Sequence, residues 1–157
     1  VTAILARTLS ESDWQARGIS LVIESFDLSV LLQAKRVLGD VGVFIFLLDE
    51  EHLHEAGQSL DAAYLIELAT KVDGLSVDLA LLFESVEDSH SIAQFGAVTS
   101  LVADAHAMGL LIYTWTARAE DAKFSIEEYY QTIIETGVDA IFADQPDLLR
   151  NSVAGLT

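Results

Sequence analysis

Gly109-Leu-Leu-Ile-Tyr-Thr-Trp-Thr-Ala-Arg118, then Glu127-Glu-Tyr-Tyr130, then Gly137-Val-Asp-Ala-Ile-Phe-Ala-Asp-Gln-Pro146 is the stretch whose reading decides the fold. The first and third segments are short apolar runs of the length of a strand buried on both faces, and the middle one carries an acidic helix start. Read together they give strand, helix, strand. The same rhythm runs backward through the chain. Ile19 to Ser25, Val43 to Leu48, Leu110 to Thr116 and Val138 to Ala143 read as buried strands, and Val72 to Val77 as a weaker fifth. Between them the apolar period changes to about 3.6, with Val30, Leu31, Ala34, Val37 and Leu38 on one helix and Leu60, Ala63, Tyr64, Ile66 and Leu68 on another. Strands alternating with helices predict an α/β fold with a parallel sheet and right-handed crossovers.

The punctuation agrees with this reading. Asp27 and Ser59 are placed to cap the helices that follow them, and Ser125 with Glu128 forms a capping box. Gly39, Gly109 and Gly137 stand where helices end, and Pro146, the only proline, opens a last short helix where its missing N–H costs nothing. Glu11-Ser12-Asp13 reads as a helix start, with Ser10 or Asp13 as its cap. Phe83 to Gly96 is polar and reads as an exposed loop after the third strand. No linker divides the 157 residues, which predicts a single domain over 1–157 without an internal boundary.

Composition narrows the function classes. The net charge of −17, from 25 acidic and 8 basic residues, repels polyanions and argues against a nucleic-acid partner. The absence of cysteine excludes disulfides, thiolate metal sites and a thiol nucleophile. Mean hydropathy is +0.39, yet no apolar run approaches the roughly 20 residues that span a bilayer, so no membrane span is expected. The start lacks a basic region ahead of its apolar stretch, so no signal peptide is expected; it also lacks Met, consistent with processing or truncation upstream. A Walker-type phosphate loop and a Gly-x-Ser-x-Gly elbow are both missing.

In a parallel sheet ligands bind at the carboxyl ends of strands. Glu24 and Phe26 close the first strand, and a carboxylate ending a buried strand needs a partner or a task. Trp115 shares a strand face with Leu111 and Tyr113 and offers a flat apolar wall, while Arg118 just beyond can hold a phosphate with parallel N–H donors. These four are the candidate substrate-binding residues. Asp49, Glu50, Glu51, His52 and His54 form the densest polar cluster, but nothing stands at helical spacing to complete a metal set, and the cluster reads as a solvated loop. His90 reads as a loop residue and His106 as a helix-surface residue.

Several of these segments also resemble the glycerophosphodiester phosphodiesterase family. Ile23-Glu-Ser-Phe-Asp27 is similar to that family's strand ending in Gln-Ser-Phe-Asp, and the following helix carries a leucine and a basic pair, here Leu31 and Lys35-Arg36. Val72-Asp-Gly-Leu-Ser76 resembles Ala-Asp-Gly-Ile-Gly, Ala105 to Glu120 resembles the helix and strand of the longer members, and Gly137 to Pro146 resembles the last strand, Gly-Val-Asp-Gly-x-x-Thr-Asp-x-Pro. Glu24 stands where Gln is usual, Ala140 replaces Gly and Ala143 replaces Thr.

The resemblance implies a TIM-type barrel of which this chain is the carboxyl-terminal half of a (β/α)8 arrangement. It implies hydrolysis of glycerophosphodiesters to glycerol phosphate and an alcohol, a step of glycerol and lipid metabolism. In such an enzyme a divalent ion, calcium or magnesium, polarises the diester while two histidines act as acid and base or nucleophile. The family's His-Arg-Gly, Glu-x-Asp, second His and metal-binding Glu have no counterpart here, so the catalytic residues and metal ligands are expected outside this chain, which supplies a wall. Two other readings stand beside it: a non-catalytic half-barrel module that pairs with a second copy or with the missing amino-terminal half, and a barrel of the phosphatidylinositol- or sphingomyelin-cleaving type.

Overall fold

The computed structural model describes residues 2–39, 41–85 and 94–154. Helix α1 (Thr2–Ser10) precedes five strand-led units: β1 (Val22–Ser25) and α2 (Leu28–Leu38), β2 (Val43–Leu48) with α3 (Glu50–Ala56) and α4 (Ala62–Ala69), β3 (Gly74–Asp78) and α5 (Leu101–Ala107), β4 (Leu111–Ala117) and α6 (Ile126–Glu135), β5 (Ala140–Ala143) and α7 (Pro146–Ala154). All pairings are parallel and the strand order is β1-β2-β3-β4-β5, so each strand lies beside its predecessor. The sheet curls into a half-barrel with helices outside: the parallel order is what the alternation predicts, and the partial TIM-type architecture is what the family resemblance implies.

The register defines two faces. Ser25, Phe46, Leu75 and Ile112 lie side by side facing the helices, as do Leu48, Val77, Thr114 and Ile141 in the next row. Leu31, Ala34, Leu53, Leu65 and Leu68 meet that face and form the main core with Phe44, Phe46 and Ile112. Alternation then puts Glu24, Ile45, Gly74 and Leu111 in one row on the concave side, with Leu47, Ser76, Tyr113 and Ala140 in the row above and Asp78 beside Trp115 higher still. Gly74 is required there: a Cβ would lie 2.5 Å from the Leu111 carbonyl oxygen and 2.8 Å from Ile45 Cδ1.

One device is used twice. Asp73, just before β3, accepts from the Phe44 N–H of the neighbouring strand (2.8 Å) and from Lys35 Nζ on α2 (2.7 Å). Asp139, just before β5, accepts from the Ile112 N–H (2.8 Å) and faces His106 Nε2 on α5 (3.0 Å). In both Val-Asp pairs the carboxylate ties a strand start to the preceding strand and to a helix behind it. His106 is thus a surface residue with a partner.

Local expectations hold at several ends. Asp27 accepts from the Ser29 and Val30 N–H groups, Pro146 is the first residue of α7, and Gly39, Gly109 and Gly137 adopt φ of 65°, 78° and 84°. Ser125 Oγ accepts from the Glu128 N–H, the first half of the expected box.

Four expectations are corrected. The cap of α4 is Asp61, which accepts from the Tyr64 N–H while Ser59 donates to it, because Asp61 is two residues closer to the first turn. Glu11 to Asp13 follow the end of α1, where the Ser10 and Ser12 hydroxyls donate back to the Arg7 and Leu9 carbonyls. The Asp49 to His54 segment is a helix with Asp49 as its cap, accepting from the His52 N–H. Phe83 and Phe95 stack at 4.2 Å between centroids, and Phe83 is buried and bridged to Val98, so the ends of the Phe83 to Gly96 segment are packed. Its middle, with His90, lies outside the described residues.

Candidate functional site

The carboxyl ends of the strands converge on one rim. Trp115, on the concave face of β4, donates from Nε1 to the Ser76 carbonyl at 3.1 Å, which fixes the indole plane across β3. Phe26, just past β1, sets its ring edge-to-face with Trp115 (5.6 Å, 85°) and stacks on His52 (4.7 Å). His52 Nδ1 lies 2.7 Å from Asp49 Oδ1. Three strand ends are therefore joined by aromatic contacts, each worth about 0.5–1.5 kcal/mol beyond area burial.

A cavity of about 440 Å³ opens beside Trp115, lined also by Thr116 from β4 and Arg118 just after it, Asp78 from β3, Glu50 from α3 and Tyr129 from α6. Arg118 is exposed, and its Nε donates to Asp144 Oδ2 at 3.0 Å just after β5. Its backbone N–H donates to the Tyr129 hydroxyl at 3.3 Å. Gln145 continues the clamp: its Oε1 accepts from the Ala119 N–H (2.9 Å) and its Nε2 donates to Glu120 Oε2 (3.1 Å). The Asp144-Gln145 pair thus holds the β4 exit in place. Sequence reading placed it at a strand end but missed this role, since its partners lie 25 or 26 residues away.

Of the four candidates, Trp115 and Arg118 line this cavity, while Phe26 lines a neighbouring one with Leu28, Phe46 and Tyr64 and reaches the site through the Trp115 edge. Glu24 stands lower on the concave face and lines neither. Its Oε1 is buried without a protein partner, as is Ser76 Oγ on the same face. Burial pushes the Glu24 carboxyl above its ordinary value. Tyr113, also on this face, is raised first by burial and then by the charges of Asp139 and Glu24.

An acid whose folded pKa is raised contributes stability that is present below its unfolded value and is lost as pH rises through the folded value. Glu24→Gln is therefore expected to match the parent at acid pH and to exceed it at pH 8 by about 1 kcal/mol. That is the low end of the cost of an unpaired buried acceptor, discounted because the carboxylate is partly wet. Urea titrations from the acid side of the ordinary Glu value to pH 8 measure it. A difference that does not grow with pH contradicts the buried, unpaired carboxylate.

The Asp49 to His54 cluster serves as a cap and an aromatic stack, and among the described residues no group of three His, Cys, Asp or Glu side chains is placed to hold a metal ion. The described residues do not offer a donor set that fits a divalent ion. Nor is any helix among the described residues long and apolar enough to cross a membrane.

Comparison with known proteins places this rim in context. A solved structure from Silicibacter pomeroyi DSS-3, described as a glycerophosphoryl diester phosphodiesterase, superposes with a TM-score of 0.59 at 20% identity, covering 86% of this chain and 38% of that one. A glycerophosphoryl diester phosphodiesterase from Parabacteroides distasonis ATCC 8503 superposes with a TM-score of 0.53 at 17% identity, covering 97% of this chain and 46% of that one. The chain therefore spans less than half the length of either structure. At these identities the likeness speaks for the fold. No curated protein sequence matches the chain significantly. The model of the glycerophosphoryl diester phosphodiesterase family matches residues 2–148, nearly the whole length, and the chain belongs to that family.

Proposed function

We propose that this chain is the carboxyl-terminal portion of a glycerophosphodiester-hydrolysing (β/α)8 barrel, and that its 157 residues form one half-barrel unit without an internal boundary. The cavity beside Trp115 then receives the glycerol or alcohol side of the diester, Arg118 faces its phosphate, and Phe26 and Glu24 shape the rim from β1. The observation that carries this reading is the placement of Trp115 and Arg118 at the carboxyl end of β4, lining one cavity, in a chain of this family. The acid and base histidines and the calcium or magnesium ligands implied by the family would come from residues outside this chain. What these residues do is bind, orient and exclude water.

The test joins this chain, by fusion or in trans, to an amino-terminal half-barrel of the family. In an active assembly Arg118→Ala should reduce turnover about 10- to 100-fold, because a charge-assisted hydrogen bond contributes about 1.5–3 kcal/mol. Arg150→Ala on α7, away from the cavity, should change it less than twofold. Equal losses would make Arg118 an ordinary surface charge.

A second reading, a non-catalytic assembly module, is favoured by the sheet's two edge strands, β1 and β5, which leave Val22 and Phe142 exposed on the concave side. Two copies could close both edges about a twofold axis. The charge of −17 opposes this association. Raising salt shortens the Debye length from roughly 30 Å at 0.01 M to about 10 Å at 0.1 M, so the dimer fraction should rise. Sedimentation velocity over that range checks it, and a salt-independent monomer excludes self-closure.

A further inference from the structure

We propose that the Tyr129 hydroxyl is a second phosphate-binding group of the cavity, a neutral donor set beside Arg118; this deepens, and rests on, the reading of the cavity as a glycerophosphodiester site. A phosphate takes several donors, and this lining is poor in them. Glu50, Asp78 and Asp121 are acceptors when ionised and oppose an anion. The Arg118 guanidinium is shared with Asp144. Gln94 already spends its amide on the connection after β4, donating to the Asp121 carbonyl and accepting from the Lys123 N–H. A hydroxyl adds a donor without adding a charge.

Tyr129 is 3% exposed, yet it lines the cavity. Its ring stacks on Phe95 (5.5 Å between centroids), which stacks in turn on Phe83, and the Tyr130 ring meets it edge-on at 5.3 Å. These contacts and the Gln94 bonds beside Phe95 fix the ring. Its oxygen accepts the Arg118 backbone N–H at 3.3 Å, and among the described residues no acceptor meets the phenolic proton. A buried hydroxyl whose proton has no acceptor is costly unless water or a ligand takes it. Burial raises the phenol above its ordinary value, the Arg118 N–H opposes the rise and the charge of Asp121 adds to it, so the proton stays in place at neutral pH.

The tyrosine oxygen bonds the main chain of the same residue whose guanidinium is assigned to the phosphate. Both donors are therefore anchored at one point of the β4 exit, the guanidinium by Asp144 and the backbone by Tyr129. The O–H and the guanidinium converge on one oxyanion, and Phe95 and Gln94 act through Tyr129 as positioning residues.

Glycerol phosphate is the probe, titrated into the chain while the Cζ resonances of isotope-labelled tyrosines are followed by NMR. Saturation should shift the Tyr129 signal and leave that of Tyr130, whose hydroxyl is buried and which does not line the cavity. This readout needs no substitution, so it stands if a variant folds poorly. By calorimetry Tyr129→Phe should bind the probe about tenfold more weakly, the loss of one hydrogen bond to a charged group. A merely structural role would lower the stability of Tyr129→Phe and leave the parent's Tyr129 signal unmoved by the probe. Binding with that signal unmoved, and Tyr129→Phe within twofold of the parent, overturns the assignment and leaves Arg118 as the phosphate group. No saturable binding to the parent overturns both.

Discussion

Asp73→Ala is expected to destabilise the chain by about 3 kcal/mol, a fall of roughly 6–12 °C in Tm for a protein of this size. The carboxylate takes both the Phe44 N–H and the Lys35 ammonium, and Phe44 is fully buried. Its removal leaves a backbone donor in the core unsatisfied, a cost of about 1–3 kcal/mol, and strips the half-buried Lys35 of its partner. Asp73→Asn keeps an acceptor for Phe44 and should cost about 1 kcal/mol. Asp139→Ala removes the corresponding bond to Ile112, and should fall between the two because its basic partner, His106, is a weaker and more exposed one. Urea unfolding monitored by circular dichroism, with unchanged m-values, is the measurement. A loss below about 1 kcal/mol for Asp73→Ala would show that water replaces the clamp.

The second large effect concerns turnover. These 157 residues by themselves should hydrolyse glycerophosphocholine at least a hundredfold more slowly than an intact family member, with calcium or magnesium in excess. They carry no His-Arg-Gly and no Glu-x-Asp on a strand, and their densest His and carboxylate cluster is spent on capping α3 and stacking on Phe26. Without acid–base groups and a metal to polarise the diester, positioning alone is left. Turnover within a hundredfold of the intact enzyme would show that the chain, alone or as a self-closed dimer, builds a site from other residues. Such activity would point first at Asp78, Glu50 and Asp121 around the cavity.

The clamps at Asp73 and Asp139 sit before the amino ends of β3 and β5, where side chains hold strands together. The cavity sits at the carboxyl ends, where Asp78 closes β3 and Trp115 and Arg118 stand at the β4 exit, which Asp144 and Gln145 hold. This division of stability and ligand contact between the two ends of the strands is the expected one for parallel barrels.

What sequence alone determined was whatever depends on period and near neighbours. Val43 to Leu48 is apolar at every position and reads as a strand buried on both faces, and the structure has β2 over those same residues. Alternation put Trp115 on one face with Leu111 and Tyr113, and Asp27 capped the helix that starts at the next residue. Tertiary structure decided whatever depends on a partner far along the chain. Asp73 reads as part of the weaker strand Val72 to Val77, and only pairing with β2 gives it the Phe44 N–H, 29 positions back. His52 and Asp49 read as part of a solvated loop, yet the carboxylate caps a helix three residues on and Phe26, from the preceding unit, stacks on the imidazole. Glu24 shows the same limit from the other side: its place at the end of β1 follows from the sequence pattern. That its Oε1 is buried without a partner follows only from the curl of the sheet, which removes it from water before anything has been brought to meet it.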